Sequence, residues 1–379
     1  MPLFSKRSIN SSLAWVTPPV SILPDAPIMS DKLSNEASPE YVQQLLLRCG
    51  IAATVIRAQM SIATMTYHCR LANITQLPKA KKCVEMISAD LRKQVSFSAE
   101  TVENAHFALS IARTQRETLY FRSALLTRPF ADLRSHTACI LGVDTSNKVI
   151  AVDISSLPHM VISGATGSGK SVLLNTIICS MLFKATPSSV EFVMIDCKQT
   201  ELTQYEGLPH LALPVITDAQ QAIRTLDNLC NHMDERYSRM RYNGTTFKKL
   251  IVIIDELSDT ILLSKRAVED SLVRLAQKGR ACGIHLLLAT QSPRASVLTG
   301  NIRANVPCKV ALKCATSIDS RISIGRNGAE NLLGKGDALI DLPSNAGNLK
   351  RFQAAYISSS DVSAIVNYWR SPHAKIAIA

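Results

Sequence analysis

One octapeptide of the sequence combines glycines, a lysine and a hydroxyl side chain at the spacing G-x-x-x-x-G-K-S. It consists of Gly164, Ala165, Thr166, Gly167, Ser168, Gly169, Lys170 and Ser171. The glycines let backbone N–H groups turn toward phosphate oxygens, and a helix that starts here adds the positive end of its dipole. Lys170 would contact the β- and γ-phosphates of ATP, and Ser171 would ligate Mg²⁺. The spacing therefore predicts a phosphate-binding loop, with an incidental glycine turn as the alternative.

Two adjacent carboxylates, Asp255 and Glu256, end the apolar run 250–254. Acids at the end of a buried strand cost free energy unless a cation or a water molecule uses them. We assign Asp255 to the Mg²⁺ shell, and Glu256 to polarising the water that attacks the γ-phosphate. A pair of helix-capping acids that faces solvent is the alternative interpretation.

A third apolar run, 286–290, is followed by Gln291. An amide side chain at the tip of a neighbouring strand is suited to sensing the γ-phosphate. The same dipeptide, Thr290-Gln291, is also typical of the first residues of an ordinary loop, so both readings stay open.

The elements that must position these side chains are strands alternating with helices. Apolar strand candidates lie at 159–163, 190–195, 250–254, 284–289 and 308–313, and helices are predicted at 171–183 and 219–241. Near-continuous apolar strands joined by crossover helices are typical of a parallel sheet covered on both faces. The phosphate loop follows the first of these strands and opens a helix, which is the setting that it requires.

The chain before this region predicts a smaller α+β domain. A helix start signal lies at 38–40, a strand pair within 52–71, helices at 79–95 and 116–126, and a strand at 106–111. A hairpin at 138–152, with its turn at 144–147, opens the larger domain. We therefore divide the chain into a flexible lead-in at 1–37, a small domain at 38–136 and an ATPase domain at 137–379.

Composition describes a globular, basic protein. The 379 residues are 46% hydrophobic and 19% charged, with a formal net charge of +12. A basic surplus fits a polyanionic partner, either nucleic acid or an anionic membrane surface, although a basic protein without such a partner is the alternative.

The ten cysteines lack C-x-x-C spacing, and several stand in apolar runs, which is typical of buried free thiols in a reducing compartment. No apolar stretch approaches the roughly 20 residues of a membrane span, and the N-terminal residues lack the apolar core of a signal peptide. We therefore expect a cytoplasmic protein without membrane insertion.

Several longer segments resemble the FtsK/SpoIIIE family of hexameric DNA translocases. They are residues 157–164, 194–211, 274–291, 318–321 and 328–337, with looser similarity at 89–91 and 116–119. The resemblance implies a RecA-like P-loop motor domain preceded by a smaller α+β domain. It further implies a homohexamer around double-stranded DNA, which would translocate the DNA by ATP hydrolysis without reading its sequence.

The resemblance also implies roles for five basic residues. Arg280 occupies the place of the residue that reaches a neighbouring subunit's nucleotide, where its fixed charge would stabilise the transferring phosphoryl group. Pore loops after the strands ending at 291 and 313 would carry the DNA phosphate contacts Arg294, Arg303, Arg321 and Lys313. A surface-helix arginine, for Arg280, and ordinary solvated charges, for the others, are the alternatives.

The sequence departs from the family pattern at three positions. Ser292 stands where the family usually has arginine, Ser317 where it has lysine, and Cys197 where a proline precedes Lys198. Arg294 and Lys313 lie close enough in sequence to compensate, but the DNA contacts cannot be transferred unchanged. We expect the chain to be the motor portion alone, without a membrane anchor or a winged-helix domain.

Two classes of function remain open. The first is a DNA motor that serves segregation, transfer or packaging for a chromosome or a mobile element. The second is an ATPase of the same family that moves protein substrates in a secretion system. DNA-stimulated ATP hydrolysis would separate the two. A non-catalytic DNA-binding adaptor is disfavoured because the phosphate loop, Asp255 and Glu256 are all present.

Overall fold

A computed structural model describes residues 13–25, 36–101, 106–243, 245, 247–345 and 347–377. Most of the predicted lead-in at 1–37 lies outside the described residues. Within the described part of the lead-in, strand β1 (Leu13–Trp15) pairs antiparallel with residues 375–377 near the C-terminus. Trp15 also packs against Trp369, with 6.1 Å between the ring centroids. This segment is therefore fixed to the larger unit, because a tryptophan ring has apolar surface to bury.

The next part of the chain forms a small α+β unit. Its elements are α1 (Pro39–Arg48), β2 (Ala53–Met60), β3 (Thr64–Leu71), α2 (Leu77–Lys82), α3 (Val84–Leu91), β4 (Val95–Thr101) and β5 (His106–Ala112). The four strands form an antiparallel sheet in the order β2-β3-β5-β4. The predicted strand pair and helix start are confirmed, since the Ser38 hydroxyl caps α1 by accepting from Tyr41 N at 3.2 Å. The helix predicted at 79–95 ends earlier, because Arg92 adopts a left-handed conformation.

The helix predicted at 116–126 is shorter than expected. Only α4 (Phe121–Leu125) forms, and α5 (Arg128–Ala131) follows it. The residues before α4 use their backbone groups elsewhere: Glu117 N donates to Ile62 O, and Leu119 O accepts from Tyr356 N, both at 2.8 Å. Phe121 and Phe130 belong to the large apolar cluster of the following unit, so α4 and α5 pack with that unit.

The larger unit is built on a nine-stranded sheet. Its strands are β6 (Ala138–Asp144), β7 (Val149–Asp153), β8 (Met160–Ser163), β9 (Val190–Ile195), β10 (Lys249–Ile254), β11 (Ile284–Thr290), β12 (Cys308–Leu312), β13 (Asp337–Asp341) and β14 (Lys350–Ala354); β15 (Lys375–Ala377) is the partner of β1. The order is β7-β6-β14-β13-β12-β8-β11-β10-β9. The five strands from β12 to β9 are parallel, and the other four are antiparallel.

The predicted α/β fold is confirmed, and the five predicted apolar strands are the five parallel ones. The sheet also contains antiparallel strands, and two of these, β13 and β14, were not predicted. Charged residues stand at the ends of these two short strands: Asp337 and Asp341 in β13, Lys350 and Arg351 in β14. The predicted hairpin is confirmed as the antiparallel pair β6 and β7.

Helices cover both faces of the sheet. They are α6 (Lys170–Lys184), α7 (Ala219–Asn243), α8 (Leu257–Leu263), α9 (Lys265–Lys278), α10 (Gly300–Asn305), α11 (Ser317–Ile324) and α12 (Ser359–Arg370). Alternate residues of one strand enter opposite apolar clusters: Ile253 packs with α6 and α12, whereas Val252 and Ile254 pack with α7 and α9. Eight of the ten cysteines are buried in the apolar clusters of the two units. Among the described helices, none is both long enough and apolar enough to cross a membrane.

The two units contact each other through Arg351 of β14. Its guanidinium donates to both carboxylate oxygens of Asp337, at 2.9 and 2.7 Å, and to the Ser96 hydroxyl of β4 at 2.7 Å. Asp337 Oδ2 also accepts from Leu333 N at 2.7 Å. Asp337 is 3% exposed, and these donors satisfy its carboxylate oxygens. The ion pair therefore joins β13 to β14, and the hydrogen bond to Ser96 links them to the small unit.

We predict that Arg351→Met lowers the free energy of unfolding by about 3 kcal/mol, because it leaves a buried carboxylate without its cation. Urea unfolding followed by circular dichroism measures the change. Arg266→Met is the matched control, since the Arg266 side chain is 96% exposed beside Asp270, and we expect a change below about 0.5 kcal/mol. Equal effects of the two substitutions would contradict the structural role of Arg351.

Candidate nucleotide-binding site

The phosphate loop lies between β8 and α6, as its sequence predicts. It is held on both sides by neighbouring strands: Gly164 N donates to Thr290 O at 3.2 Å, and Ala165 N donates to Lys313 O at 2.8 Å. Gly169, with a φ of 104°, immediately precedes the first residue of α6, Lys170. The strand–loop–helix setting required for phosphate binding is thus present.

A second turn closes over the phosphate loop. Gly336 N donates to Ser168 O at 2.7 Å, and a Cβ atom on Gly169 would lie 2.6 Å from Gly336 N. Only glycine fits at position 169, because its backbone is left-handed and its neighbour is backbone. Lys335, the residue before Gly336, also has a left-handed backbone, with a φ of 52°. The sequence predicted no separate role for Gly334-Lys335-Gly336, although a lysine between two glycines was an available signal.

Lys170 and Asp255 form a buried ion pair. Lys170 Nζ donates to Asp255 Oδ1 at 2.7 Å and to the Asp255 carbonyl oxygen at 2.9 Å. The two residues are 3% and 1% exposed. Burial raises the pKa of the Asp255 carboxyl, the Lys170 ammonium opposes that rise, and the carboxylates of Asp196 and Glu256 add to it.

Two further carboxylates lie at the same edge of the sheet. The Ser171 hydroxyl donates to Glu201 Oε1. Asp196 Oδ2 accepts from Glu201 N at 3.0 Å and from Leu202 N at 2.8 Å. Asp196 Oδ1 is buried and has no hydrogen-bond partner in the described part of the chain. Sequence reasoning assigned neither acid a role, although Asp196 follows the apolar run of β9 as Asp255 follows that of β10.

Glu256 is held firmly by four donors. Its Oε1 accepts from the Thr290 hydroxyl at 2.6 Å, from the Ser258 hydroxyl at 2.7 Å and from Ser258 N at 3.3 Å. Its Oε2 accepts from Gln291 N at 2.8 Å. Glu256 therefore caps α8, as the alternative interpretation expected, but it is only 5% exposed and does not face solvent.

Gln291 connects the phosphate loop to Glu256. Its side-chain Oε1 accepts from the Thr166 hydroxyl at 2.8 Å, while its backbone N–H donates to Glu256. This bridge follows from the strand order, because β11 lies between β8 and β10. The carboxyl ends of the three parallel strands consequently meet at one edge.

A cavity of 590 Å³ opens beside these residues. Thr166, Lys170, Ser171, Glu201, Gln291 and Lys335 line one part of it. The volume lies within the range of about 300 to 1,000 Å³ that small-molecule sites occupy. The phosphate loop, Lys170 and Glu201 thus face a space large enough for a nucleotide.

Arg280 lies far from this cavity within the same chain. It stands on the short turn Gly279–Cys282 before β11 and donates to Ser156 O at 2.9 Å. β11 separates this turn from Gln291, and a strand of that length spans about 20 Å. Arg280 is exposed, and this separation leaves it without a role at its own phosphate loop.

The four residues expected to contact DNA differ in their surroundings. Arg294, in the segment after β11, and Arg321, on α11, are exposed. Arg303 lies on α10, not in a loop, and its Nε is buried without a partner among the described residues. Lys313 is half-buried, and its carbonyl oxygen accepts from the phosphate loop. Only Arg294 and Arg321 are therefore fully available at the surface.

The sequence matches the model of the FtsK/SpoIIIE family over residues 120–248 and 242–295. It is 34% identical to a protein named DNA translocase FtsK from Caldanaerobacter subterraneus, over 93% of this chain and 52% of that protein. It is 33% identical to DNA translocase SftA of Bacillus subtilis, over 94% of this chain and 40% of that protein. The chain thus spans about half the length of the curated relatives it matches.

Solved structures share the fold at lower identity. The conjugation coupling protein TcpA of pCW3, in its monomer form with ATPγS, has a TM-score of 0.59 and 21% identity, and the match covers 86% of this chain and 97% of that one. The cytoplasmic domain of the Type VII secretion ATPase EccC of Thermomonospora curvata has a TM-score of 0.58 and 23% identity, over 67% of this chain and 34% of that one. The fold is therefore that of P-loop ATPase domains.

Proposed function

Because the chain belongs to the FtsK/SpoIIIE family, we propose that it hydrolyses ATP to translocate double-stranded DNA through a ring of six copies. Lys170 and Ser171 line a 590 Å³ cavity, and Lys170 pairs with the buried Asp255 behind it; this arrangement supports the proposal most directly. Relatives that carry the name DNA translocase, and the net charge of +12, favour DNA as the polymer that is moved. The small unit and the larger unit would act as one subunit of the ring.

Lys170 is the residue that would respond first to a bound triphosphate. Its ammonium contacts only the side chain and the carbonyl of Asp255 among the described residues. Phosphate oxygens in the loop would offer a second anionic partner, and the backbone N–H groups of the loop would share the charge. ATP binding would thus loosen the pair between Lys170 and Asp255 and free the carboxylate for another cation.

The oxygens next to the loop fit Mg²⁺. This ion prefers hard oxygen ligands and is usually held by one or two protein side chains together with phosphates. The Ser171 hydroxyl and the Asp255 carboxylate are such donors, and Glu201 and Asp196 lie in the surrounding shell. Bound there, Mg²⁺ would neutralise charge that develops on the phosphates.

Glu256 and Gln291 would orient the attacking water. Glu256 Oε2 accepts one hydrogen bond, from Gln291 N, and a carboxylate oxygen has a second lone pair to offer to water. The three other donors hold the Glu256 carboxylate in one orientation before the reaction. The side chain therefore loses no further conformational freedom when it binds the water. Gln291 also accepts a hydrogen bond from Thr166 of the loop. A shift of the loop on binding or loss of the γ-phosphate would therefore move Gln291, and with it the hydrogen bond to Glu256.

We predict that Lys170→Ala and Glu256→Gln each lower ATP turnover at least about 100-fold, whereas Glu256→Gln still binds ATP. Lys170 holds phosphates, but Glu256 acts only on water. Phosphate release, measured with and without long duplex DNA, checks both the chemistry and the substrate, because DNA should stimulate the wild type. Normal turnover in either variant contradicts the site, and hydrolysis that ignores DNA favours a protein substrate.

Arg294 and Arg321 are the better candidates for DNA phosphate contacts. Both are exposed, and both follow the carboxyl end of a parallel strand, β11 or β12. Guanidinium groups bind phosphates whatever the base sequence. Arg303 is less available because part of its side chain is buried, and Lys313 is half-buried beside the phosphate loop.

We predict that Arg294→Ala/Arg321→Ala weakens duplex binding equally for different sequences. The slope of log affinity against log salt should fall by about one unit for each DNA phosphate that the protein no longer neutralises. Fluorescence anisotropy across a salt series measures it. Arg266→Ala, which removes another exposed arginine, should leave the slope unchanged. A double variant with the parental slope would move the DNA path to another surface.

Arg280 would act in the neighbouring subunit of the ring. It is exposed, and β11 separates it from the phosphate loop of its own chain by about 20 Å. A guanidinium that cannot reach its own nucleotide can still reach one bound at an adjoining subunit, as in enzymes that supply such an arginine in trans.

We predict that Arg280→Ala lowers ATP turnover without preventing assembly. Mixing Arg280→Ala subunits with Glu256→Gln subunits should restore part of the activity, because some interfaces then pair an intact Glu256 with an intact Arg280. Phosphate release at several mixing ratios, with ring assembly checked by electron microscopy, measures the recovery. Assembled mixtures without recovery at any ratio would show that Arg280 does not act in trans.

A further inference from the structure

Leu119, Val172, Ala354 and Tyr356 also line the cavity beside the phosphate loop, together with the polar residues Glu117 and Thr118. The four aliphatic and aromatic residues give the cavity an apolar wall. We propose that it binds the nucleobase of the triphosphate, with the Tyr356 ring as the surface on which the base stacks. This inference rests on the proposed binding of ATP, and it assigns a site to residues that the phosphate chemistry does not use.

Tyr356 is unusual among the aromatic residues near the sheet. It is 43% exposed, although a ring of this size is normally buried or half-buried in a folded protein. Its ring packs edge-to-face on Tyr120, with 6.1 Å between centroids and 83° between planes. This contact fixes the ring while a large part of the residue stays accessible. An accessible, oriented aromatic ring is what a base requires for stacking, and every base has a π-face that can use it.

The wall that carries Tyr356 is already formed. Tyr356 N donates to Leu119 O, and Phe121 N donates to Tyr356 O, both at 2.8 Å. The same segment is tied to the small unit, because Arg113 donates to Glu117 Oε1 at 2.7 Å and to Ser61 O at 3.0 Å. A wall held in place before the ligand arrives loses little conformational freedom on binding.

Gln353 lines the cavity as well. Its Nε2 donates to Lys335 O at 2.7 Å, and a Cβ atom on Gly336 would lie 2.8 Å from this nitrogen. The amide is therefore packed against the turn that closes over the phosphate loop. The same cavity thus has Lys170 and Lys335, which suit phosphates, and Leu119 and Tyr356, which suit a base.

A comparison of ATP with tripolyphosphate tests this site, because tripolyphosphate has the phosphates but no base. Isothermal titration calorimetry on the full chain would measure both affinities. Tyr356→Ala should weaken ATP binding about tenfold, within the range of base–aromatic stacking, and leave tripolyphosphate binding unchanged. Tyr356→Phe keeps the ring and should bind ATP as the parent does. Leu119→Ala, from the same wall, should show a smaller loss with the same selectivity.

Lys170→Ala is the reference variant and should weaken both ligands. If Lys170→Ala weakens both ligands while Tyr356→Ala and Leu119→Ala bind ATP like the parent, the base site is wrong and ATP binding at the loop stands. If the two wall variants lose ATP and tripolyphosphate equally, their effect is structural and the base site is likewise overturned. If Lys170→Ala changes neither affinity, the proposed nucleotide site itself fails.

Discussion

The ion pair between Lys170 and Asp255 is the contact on which the rest of the site depends. A buried ammonium without an anionic partner costs several kcal/mol, and Lys170 is 3% exposed. Its partner comes from another strand, so the loop after β8 and the end of β10 must lie at one edge of the sheet. Parallel strands meet this requirement, and β11 between them places Gln291 against both the loop and Glu256.

Four carboxylates at this edge create a concentration of negative charge that the fold balances only in part. Asp255 has Lys170, Asp196 has two backbone N–H groups, Glu201 has the Ser171 hydroxyl, and Glu256 has four donors. The raised pKa of Asp255, caused first by burial and then increased by Asp196 and Glu256, reflects the remaining imbalance. A divalent cation would relieve it, and the phosphates of ATP would then take over Lys170. The proposed chemistry and the electrostatics of the site thus depend on the same arrangement of charged groups.

The small unit contributes to the cavity through the segment that joins it to the larger one. Arg113 and Glu117 fix this segment against the turn after β2, and Leu119 continues it into the cavity wall. Arg351 adds a second connection through Ser96. Movement of the small unit would therefore shift Leu119 and the part of the cavity wall that it forms.

The sequence by itself determined the phosphate loop, the five parallel strands and the carboxylates Asp255 and Glu256, because these features depend on local spacing and on continuous apolar runs. It also predicted that Gln291 stands at a neighbouring strand tip. Tertiary structure alone decided the antiparallel strands β13 and β14, whose polar residues are satisfied by partners distant in sequence, such as Asp337 by Arg351. It likewise decided that residues 117–119 form a cavity wall in place of a helix, since the backbone partners Ile62 and Tyr356 come from far along the chain. Glu201 and Tyr356 line the cavity for the same reason: folding brings them there, and no local pattern records it. Lys335 also depends on folding, although its position between two glycines was a local signal.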